Sequence, residues 1–201
     1  MEEFLTFVHL GLHHIADLGA MDHILFLLAL AAIYRGRDWR ESLWVVSAFT
    51  VGHSVTLGLA AAGALKVSIS LIEFLIPLTI IATGIENIAV RNRSQAPLRG
   101  RYRPVFAGVF GLVHGAGFAS YLQSLFTGSI VLPLFGFNVG IELGQLLVLG
   151  AAAAVLAGAD RLFALLRAPG SVPSAHRLRV ISVSLIVVAV AAQMAATRRP
   201  W

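Results

Sequence analysis

Six long apolar segments follow one another along the 201-residue chain and are separated by short polar links. They cover about residues 19–35, 41–63, 68–90, 103–126, 131–158 and 178–196. Each is close to the roughly 20 residues that a helix needs to cross the hydrocarbon core of a bilayer. None shows the alternation of apolar and polar residues that is typical of transmembrane strands. The pattern therefore predicts an all-α, polytopic membrane helix bundle that forms a single domain over residues 1–201.

The first apolar segment is shorter than the others and follows a histidine-bearing stretch. Residues Glu3 to about Ala16 predict a short N-terminal amphipathic or re-entrant helix, so this stretch and the first span read as two halves of a broken helix. The initial residues, MEEFLTF, lack the positive charges of a cleaved signal peptide. We therefore expect them to remain in the mature protein.

Composition supports an integral membrane protein. The chain is 58% hydrophobic and 12% charged, whereas soluble domains average about 45–50% apolar and about 25% charged residues. The formal charge is +5, but no basic stripe is interleaved with stacking aromatic residues, so we expect no binding of nucleic acid. The chain has no cysteine, which excludes disulfides and thiolate metal sites.

Arginines gather in alternate links and predict an orientation. The links after the first, third and fifth segments are rich in arginine, whereas the others hold only Lys66 or no basic residue. Positive residues stay on the cytoplasmic side, which predicts a multi-pass protein of the cell (inner) membrane with its N-terminus outside. Only the tail disagrees, because six spans would place Arg198 and Arg199 outside.

Ionisable residues within the apolar segments are candidates for function, because charge is costly in hydrocarbon. Counting 1.5 Å per helical residue, we expect one group to share a similar depth near the midplane. That group comprises Asp22, His23, His53, His114, Asn138 and Glu142. Glu86 and Asn87 lie nearer the predicted cytoplasmic end and indicate an exit from the site. We expect partners from segments two, four and five to meet Asp22 and His23 in one pocket.

The fifth segment predicts two different helix faces. Asn138, Glu142 and Gln145 lie at positions i, i+4 and i+7, on one face. Close packing on the roughly opposite face is favoured by glycines repeated every four residues: Gly136, Gly140 and Gly144. Asn138 and Gln145 are either pathway residues or interhelical hydrogen-bond partners. Before the first span, His13 and His14 are either a capture site or ordinary interfacial residues, and Asp17 is a candidate supporting residue of the pathway.

Imidazole and carboxylate groups without thiolates suit Ni²⁺, Co²⁺ or Zn²⁺ as substrate or ligand, and nothing indicates an organic cofactor. The leading hypothesis is therefore a divalent metal permease, and the absence of a Walker motif implies a gradient or a partner as the energy source. A membrane-embedded metal-dependent hydrolase is an alternative, although the His-Glu-x-x-His motif is missing. An accessory membrane protein with a structural polar core is another.

Five motifs in order resemble the HupE/UreJ family of membrane proteins, most closely its second subgroup. They are DHILFLLAL (22–30), FTVGHSVTLGLA (49–60), GIENIAV (84–90), FGLVHGAGFAS (110–120) and FNVGIELGQL (137–146). The resemblance implies a nickel or cobalt permease, with a homo-oligomer or a metalloenzyme-maturation partner as possible associates. It implies metal-handling roles for His14, Asp22, His23, His53, His114 and Glu142. Seven residues separate His14 from Asp22, a longer spacer than the family pattern has.

Overall fold

A computed structural model of the chain describes residues 1–19, 21–65, 67–90, 100–125, 130–166 and 175–201, with the side chains of Arg37, Leu166 and residues 119–125 outside this description. Over these residues the protein is all-helical, as predicted. The α-helices are α1 (Glu2–Ala16), α2 (Met21–Ile33), α3 (Trp39–Ala61), α4 (Ile69–Val90), α5 (Arg103–Leu125), α6 (Val131–Leu166) and α7 (Ala175–Thr197). A 3₁₀ turn, Gly36–Asp38, precedes α3.

Four of these helices, α3, α4, α6 and α7, are long and apolar enough to cross a membrane. The pair α1 and α2 qualifies as a fifth span if it is taken as one broken helix, since the two halves meet at a bend of 69°. The predicted break before the first span is therefore present. α5 has the length of the predicted fourth span, and the total of six spans stays a prediction.

Most helix ends lie within two or three residues of their predicted positions. The largest difference is α6, which continues to Leu166 although the apolar pattern ends near residue 158. The predicted loops 94–104 and 167–176 lie mostly outside the described residues, and so does Phe126 at the end of the fourth predicted span.

Glycines bring the helices of two pairs into backbone contact. Between α3 and α5, a Cβ atom added at Gly111 or Gly115 would overlap the carbonyl oxygen of Phe49 or His53. Between α1 and α6, a Cβ atom at Gly140 would overlap the carbonyl oxygen of Val8 in the same way. Small residues permit this close approach in membrane helices. Both interfaces help to position the centre of the bundle, because α1, α3 and α5 each carry a histidine into it.

The short helix α2 lies at the centre of the bundle. Ten of its 13 residues are buried, among them Asp22 and His23, and it packs against α4, α6 and α7. A central helix has no lipid-facing side, which explains why α2 is apolar all round rather than on one stripe. Its first turn places two polar side chains in the interior.

Candidate metal site

Three imidazoles from separate helices converge at the start of α2. His14 lies in the last turn of α1, His23 in the first turn of α2 and His53 in the second half of α3. Each offers a ring nitrogen, and these three atoms lie within 4.8 Å of one another. Two nitrogens bound to one zinc-sized ion are at most about 4.2 Å apart. Side-chain movements of under about 1 Å would therefore complete the coordination.

The bend between α1 and α2 brings His14 and His23 together. The side chain of Asp17 accepts a hydrogen bond of 2.8 Å from the backbone N–H of Gly19, in the turn that follows α1. The rings of His14 and His23 then lie 4.7 Å apart between centroids. Asp17, predicted as a pathway residue, is exposed and shapes this turn instead of entering the cluster. His13 is exposed as well.

The ring nitrogens in this region are buried and lack hydrogen-bond partners. Among the described residues, six such atoms belong to these histidines: Nε2 of His14, both ring nitrogens of His23, both of His53, and Nδ1 of His114. A buried polar atom left unpaired costs about 1–3 kcal/mol, and native proteins hold few of them. Their concentration at one point indicates a site whose partner is a ligand and not another side chain.

His114 on α5 completes the group and is held by α4. Its ring lies 5.3 Å from that of His23, and its Nε2 lies 3.1 Å from Oγ1 of Thr79. The Thr79 hydroxyl donates its only proton to the carbonyl of Ile76 at 2.7 Å. Nε2 of His114 must therefore be the donor to Thr79, which leaves Nδ1 with a free lone pair for a metal ion. We call His14, His23, His53, His114 and the adjacent Asp22 the histidine site.

Asp22 supplies the only carboxylate of the histidine site. Its Oδ1 accepts the backbone N–H of His23 at 3.1 Å and lies 3.3 Å from Nδ1 of the same ring, without hydrogen-bond geometry. Its Oδ2 lies 3.7 Å from Nη1 of Arg198, near the end of α7. A carboxylate beside a ligating imidazole orients the ring and raises its basicity.

Two pairs of aromatic rings enclose the histidine site. Phe26 and Phe49 stack at 5.0 Å on one side, and Phe49 lies 5.1 Å from the ring of His114. Phe118 and Phe137 stack at 5.2 Å on the other, and Phe118 lies 4.1 Å from the ring of His14. Sequence reasoning missed these rings. The sequence does contain a signal for them, because residues three or four apart on a helix are neighbours. Each of three rings has this spacing from a site histidine on its own helix: Phe26, Phe49 and Phe118.

The polar face of α6 forms as predicted but meets α3 and not the imidazoles. Ser47 donates a hydrogen bond of 2.5 Å to the half-buried Glu142, and Thr50 donates one of 2.8 Å to the buried Gln145. The Oδ1 atom of Asn138 is buried without a hydrogen-bond partner. The glycine face of α6 packs on α1. Among the described contacts, Glu142 meets α3 at Ser47 and none joins it to the imidazoles.

Glu86 and Asn87 lie at the opposite end of the bundle, paired with the start of α5. Arg103 and Tyr102 both donate hydrogen bonds to the carboxylate of Glu86, and burial together with this contact raises the pKa of Tyr102. Arg103 also bonds the side chain of Asn87 at 3.2 Å, and Asn87 donates to the carbonyl of Ala29 at 2.8 Å. We call these four side chains the arginine cluster.

A largely apolar cavity adjoins the arginine cluster. Phe26 borders it on one side, and Glu86, Tyr102 and Arg103 border it on the other. The remaining lining is mainly aliphatic and aromatic and comes from α2, α3, α4 and α5. The cavity therefore adjoins the arginine cluster directly, and it approaches the imidazoles at Phe26, whose ring lies 6.4 Å from that of His114.

The model of the HupE / UreJ protein family matches residues 1–198, which is nearly the whole chain. Neither the curated proteins nor the solved structures give a match. The family match agrees with the motifs in the sequence and with the helical bundle that carries them. The chain therefore belongs to the HupE/UreJ family.

Proposed function

We propose that this protein is a multi-pass membrane permease for a divalent transition metal ion of the Ni²⁺ or Co²⁺ class, with Zn²⁺ as a further candidate. The observation that carries the proposal is the convergence of His14, His23 and His53, whose ring nitrogens are buried and mostly without hydrogen-bond partners. His114 adds a fourth imidazole with a free Nδ1. This donor set is that of a borderline divalent metal ion.

The charge of the site favours passage over permanent binding. Neutral imidazoles contribute no negative charge, and Asp22 is the only acid adjoining the imidazoles in the described contacts. A divalent cation there keeps a net positive charge in a buried, aromatic surrounding. Conduction requires binding strong enough for entry and weak enough for exit, and a site with one carboxylate meets that requirement better than one with several.

The proposed path leads from the histidine site past Phe26 and Phe49 into the cavity, and from there to the arginine cluster. Support comes from the cavity itself, which borders Phe26 and Glu86 at its two sides. The aromatic pair must move for an ion to pass. Glu86, now bound to Arg103, is the carboxylate that a passing cation would meet next.

We propose further that the N-terminus lies outside the cell membrane. Arg103 and Arg179 come from different predicted cytoplasmic links, and both lie next to Tyr34 at the end of α2. The basic links thus meet at one end of the bundle, as the positive-inside rule requires of a shared cytoplasmic side.

The test compares two adjacent histidines of α1. His14→Ala removes a site imidazole, and His13→Ala removes an exposed one. In cells loaded with radioactive Ni²⁺ or Co²⁺, we expect His14→Ala to abolish protein-dependent accumulation and His13→Ala to retain at least half of it. Equal accumulation by the two variants at equal expression would contradict the proposal.

The same purified proteins separate the alternatives. A permease binds added Ni²⁺ or Co²⁺ reversibly and turns over no lipid or peptide. A membrane hydrolase would retain about one zinc ion per chain through purification and cleave a substrate. An accessory protein would bind no ion, and its loss would act only through a partner metalloenzyme. Either of the last two results would replace the permease proposal.

A further inference from the structure

The carboxylate of Asp22 is shared between a site histidine and a basic residue from the far end of the chain. Oδ1 faces the backbone N–H and Nδ1 of His23, while Oδ2 faces Nη1 of Arg198 at 3.7 Å. The Asp22 side chain is 12% exposed and the Arg198 side chain 31% exposed. A fixed positive charge therefore lies beside the one carboxylate of the histidine site.

The fold holds Arg198 in this position. The backbone N–H of Arg198 bonds the carbonyl of Met194 at 3.0 Å, so it continues the last turn of α7. Three residues further on, the ring of Trp201 lies 5.4 Å from that of Phe74 on α4. These contacts anchor the segment on both sides of Arg198.

Arg198 is also one of the residues that disagree with the charge pattern of the chain. The arginines of the links gather where we place the cytoplasmic side, yet Arg198 lies at the other end of α7, beside the first turn of α2. A basic residue on that side has no role in orientation. Its contact with Asp22 supplies a specific reason for its presence.

We infer that Arg198 is a built-in counter-cation, which competes with the transported metal ion for the charge of Asp22 and keeps the affinity of the histidine site low enough for release. The inference rests on the proposed function. In the empty site, Asp22 and Arg198 neutralise each other. When a divalent cation binds the imidazoles, the like charge of Arg198 opposes it, and Asp22 is divided between two positive groups. Arg198 must then turn away or weaken binding.

The size of the effect follows from Coulomb's law. A unit charge about 8 Å from a divalent ion, in an effective dielectric near 20, changes the affinity by roughly a thousandfold when nothing screens it. Partial exposure of Arg198 reduces the interaction, so we expect about a tenfold change and not the full Coulomb value.

The chain provides a matched control. Arg199 is the next residue, carries the same charge and is exposed. Arg198→Gln and Arg199→Gln therefore change the net charge equally, but only the first removes the charge at Asp22. Arg198→Lys keeps a positive charge at the same position and separates charge from the shape of the guanidinium group.

The experiment measures Co²⁺ and Ni²⁺ dissociation constants of the full-length protein in detergent, by titration calorimetry at fixed pH and salt. We expect Arg198→Gln to bind about tenfold more tightly, with Arg199→Gln and Arg198→Lys within about threefold of wild type. Thermal unfolding of each variant identifies any loss of folded protein before titration.

A double-mutant cycle tests whether Asp22 mediates the effect. Asp22→Asn should weaken binding by at least about tenfold. In the Asp22→Asn background, Arg198→Gln should change the affinity by less than about threefold, because an arginine without its carboxylate partner turns towards water. A full tenfold gain in that background would show that Asp22 is not involved and would overturn the inference.

The remaining outcomes are also decisive. Equal affinities of Arg198→Gln and Arg199→Gln, or weaker binding by Arg198→Gln alone, would show that Arg198 only supports the fold and would overturn the inference while leaving the permease proposal intact. A wild-type protein that binds neither ion would remove both proposals together.

Discussion

The histidine site and the arginine cluster are both polar regions inside an apolar bundle, yet their hydrogen bonds differ. In the arginine cluster, Arg103 bonds Glu86 and Asn87, and Asn87 reaches the carbonyl of Ala29. Only Nε of Arg103 is buried there without a partner. In the histidine site, six ring nitrogens are buried without a hydrogen-bond partner.

This contrast distinguishes a polar region whose side chains bind one another from one whose side chains are left without partners. Partnered side chains are compatible with a stable fold, since the cost of taking them out of water is offset by their contacts. Unpartnered imidazoles lower the stability of the empty protein, and in the proposed function they are there to bind the metal ion. Buried polar residues of this chain are therefore best interpreted by their hydrogen bonds and not by their type or depth.

Replacing a site histidine by an apolar residue gives the largest expected effect. In His53→Leu we expect the affinity for Ni²⁺ or Co²⁺ to fall at least about 1000-fold, or about 4 kcal/mol. The free energy of unfolding without metal should stay within about 1 kcal/mol of wild type or rise, because two unpaired nitrogens are removed. Calorimetric titration and denaturant unfolding in detergent measure the two quantities.

An unfolding free energy that drops by several kcal/mol in His53→Leu would erase the distinction between the two regions. It would mean that His53, which is fully buried, stabilises the empty fold through contacts that an isolated ring nitrogen does not reveal.

The matching replacement in the arginine cluster is Arg103→Met. It leaves the carboxylate of Glu86 without its charged partner, and breaking a buried ion pair in this way costs about 3–5 kcal/mol. Because the Glu86 side chain is 28% exposed, we expect about 3 kcal/mol of lost unfolding free energy. The metal affinity should remain within about twofold of wild type.

Arg103→Met combined with Glu86→Leu provides the control, since it removes both charges together. We expect the double variant to regain most of the stability. If instead Arg103→Met weakened metal binding as strongly as it weakened the fold, the arginine cluster would belong to the ion site.

The helical pattern predicted the fold and the polar face of α6, but not the partner of that face. The periodicity placed Asn138, Glu142 and Gln145 together, and they do share one side of α6. That side meets Ser47 and Thr50 of α3, because the glycines of α6 pack against α1. Which helices become neighbours depends on tertiary packing, and a single sequence does not contain that information locally.

The position of His14 shows a second limit. The seven-residue spacer before Asp22 departs from the family pattern, yet the ring of His14 lies beside that of His23. The 69° bend between α1 and α2 and the turn at Asp17 accommodate the longer spacer. The contact of Arg198 with Asp22 could not be predicted from the sequence either, since only the antiparallel packing of α2 and α7 brings the two ends of the chain together.

Adding a methyl group at the α3–α5 interface should lower both the unfolding free energy and the metal affinity moderately. In Gly115→Ala the added methyl group would overlap the carbonyl oxygen of His53 and lie 3.0 Å from its Cα atom. Since backbone cannot yield as a flexible side chain does, α5 must move away from α3. We expect a loss of about 2 kcal/mol in unfolding free energy, with weaker metal binding because His53 and His114 separate.

Gly150→Ala on α6 is the control, because nothing lies within 4 Å of the added methyl group. Alanine favours a helix over glycine by about 0.8–1.0 kcal/mol, so this variant should be as stable as wild type or more so. Equal unfolding free energies for the two alanine variants would rule out backbone contact between α3 and α5.

The smallest expected effect concerns Thr79, which orients a site imidazole without belonging to the site. Thr79→Val removes the acceptor of His114 Nε2 and frees the ring to bind in another orientation. Outer partners of metal ligands typically contribute about tenfold or more to affinity, and we expect about tenfold weaker Co²⁺ binding here.

Thr83→Val, one turn later, removes only a hydroxyl that bonds its own helix backbone at 3.0 Å, and it should bind Co²⁺ as wild type does. A shared loss in the two variants would trace the effect to α4 as a whole, whereas a loss in Thr79→Val alone, with a changed Co²⁺ absorption spectrum, would place His114 on the ion.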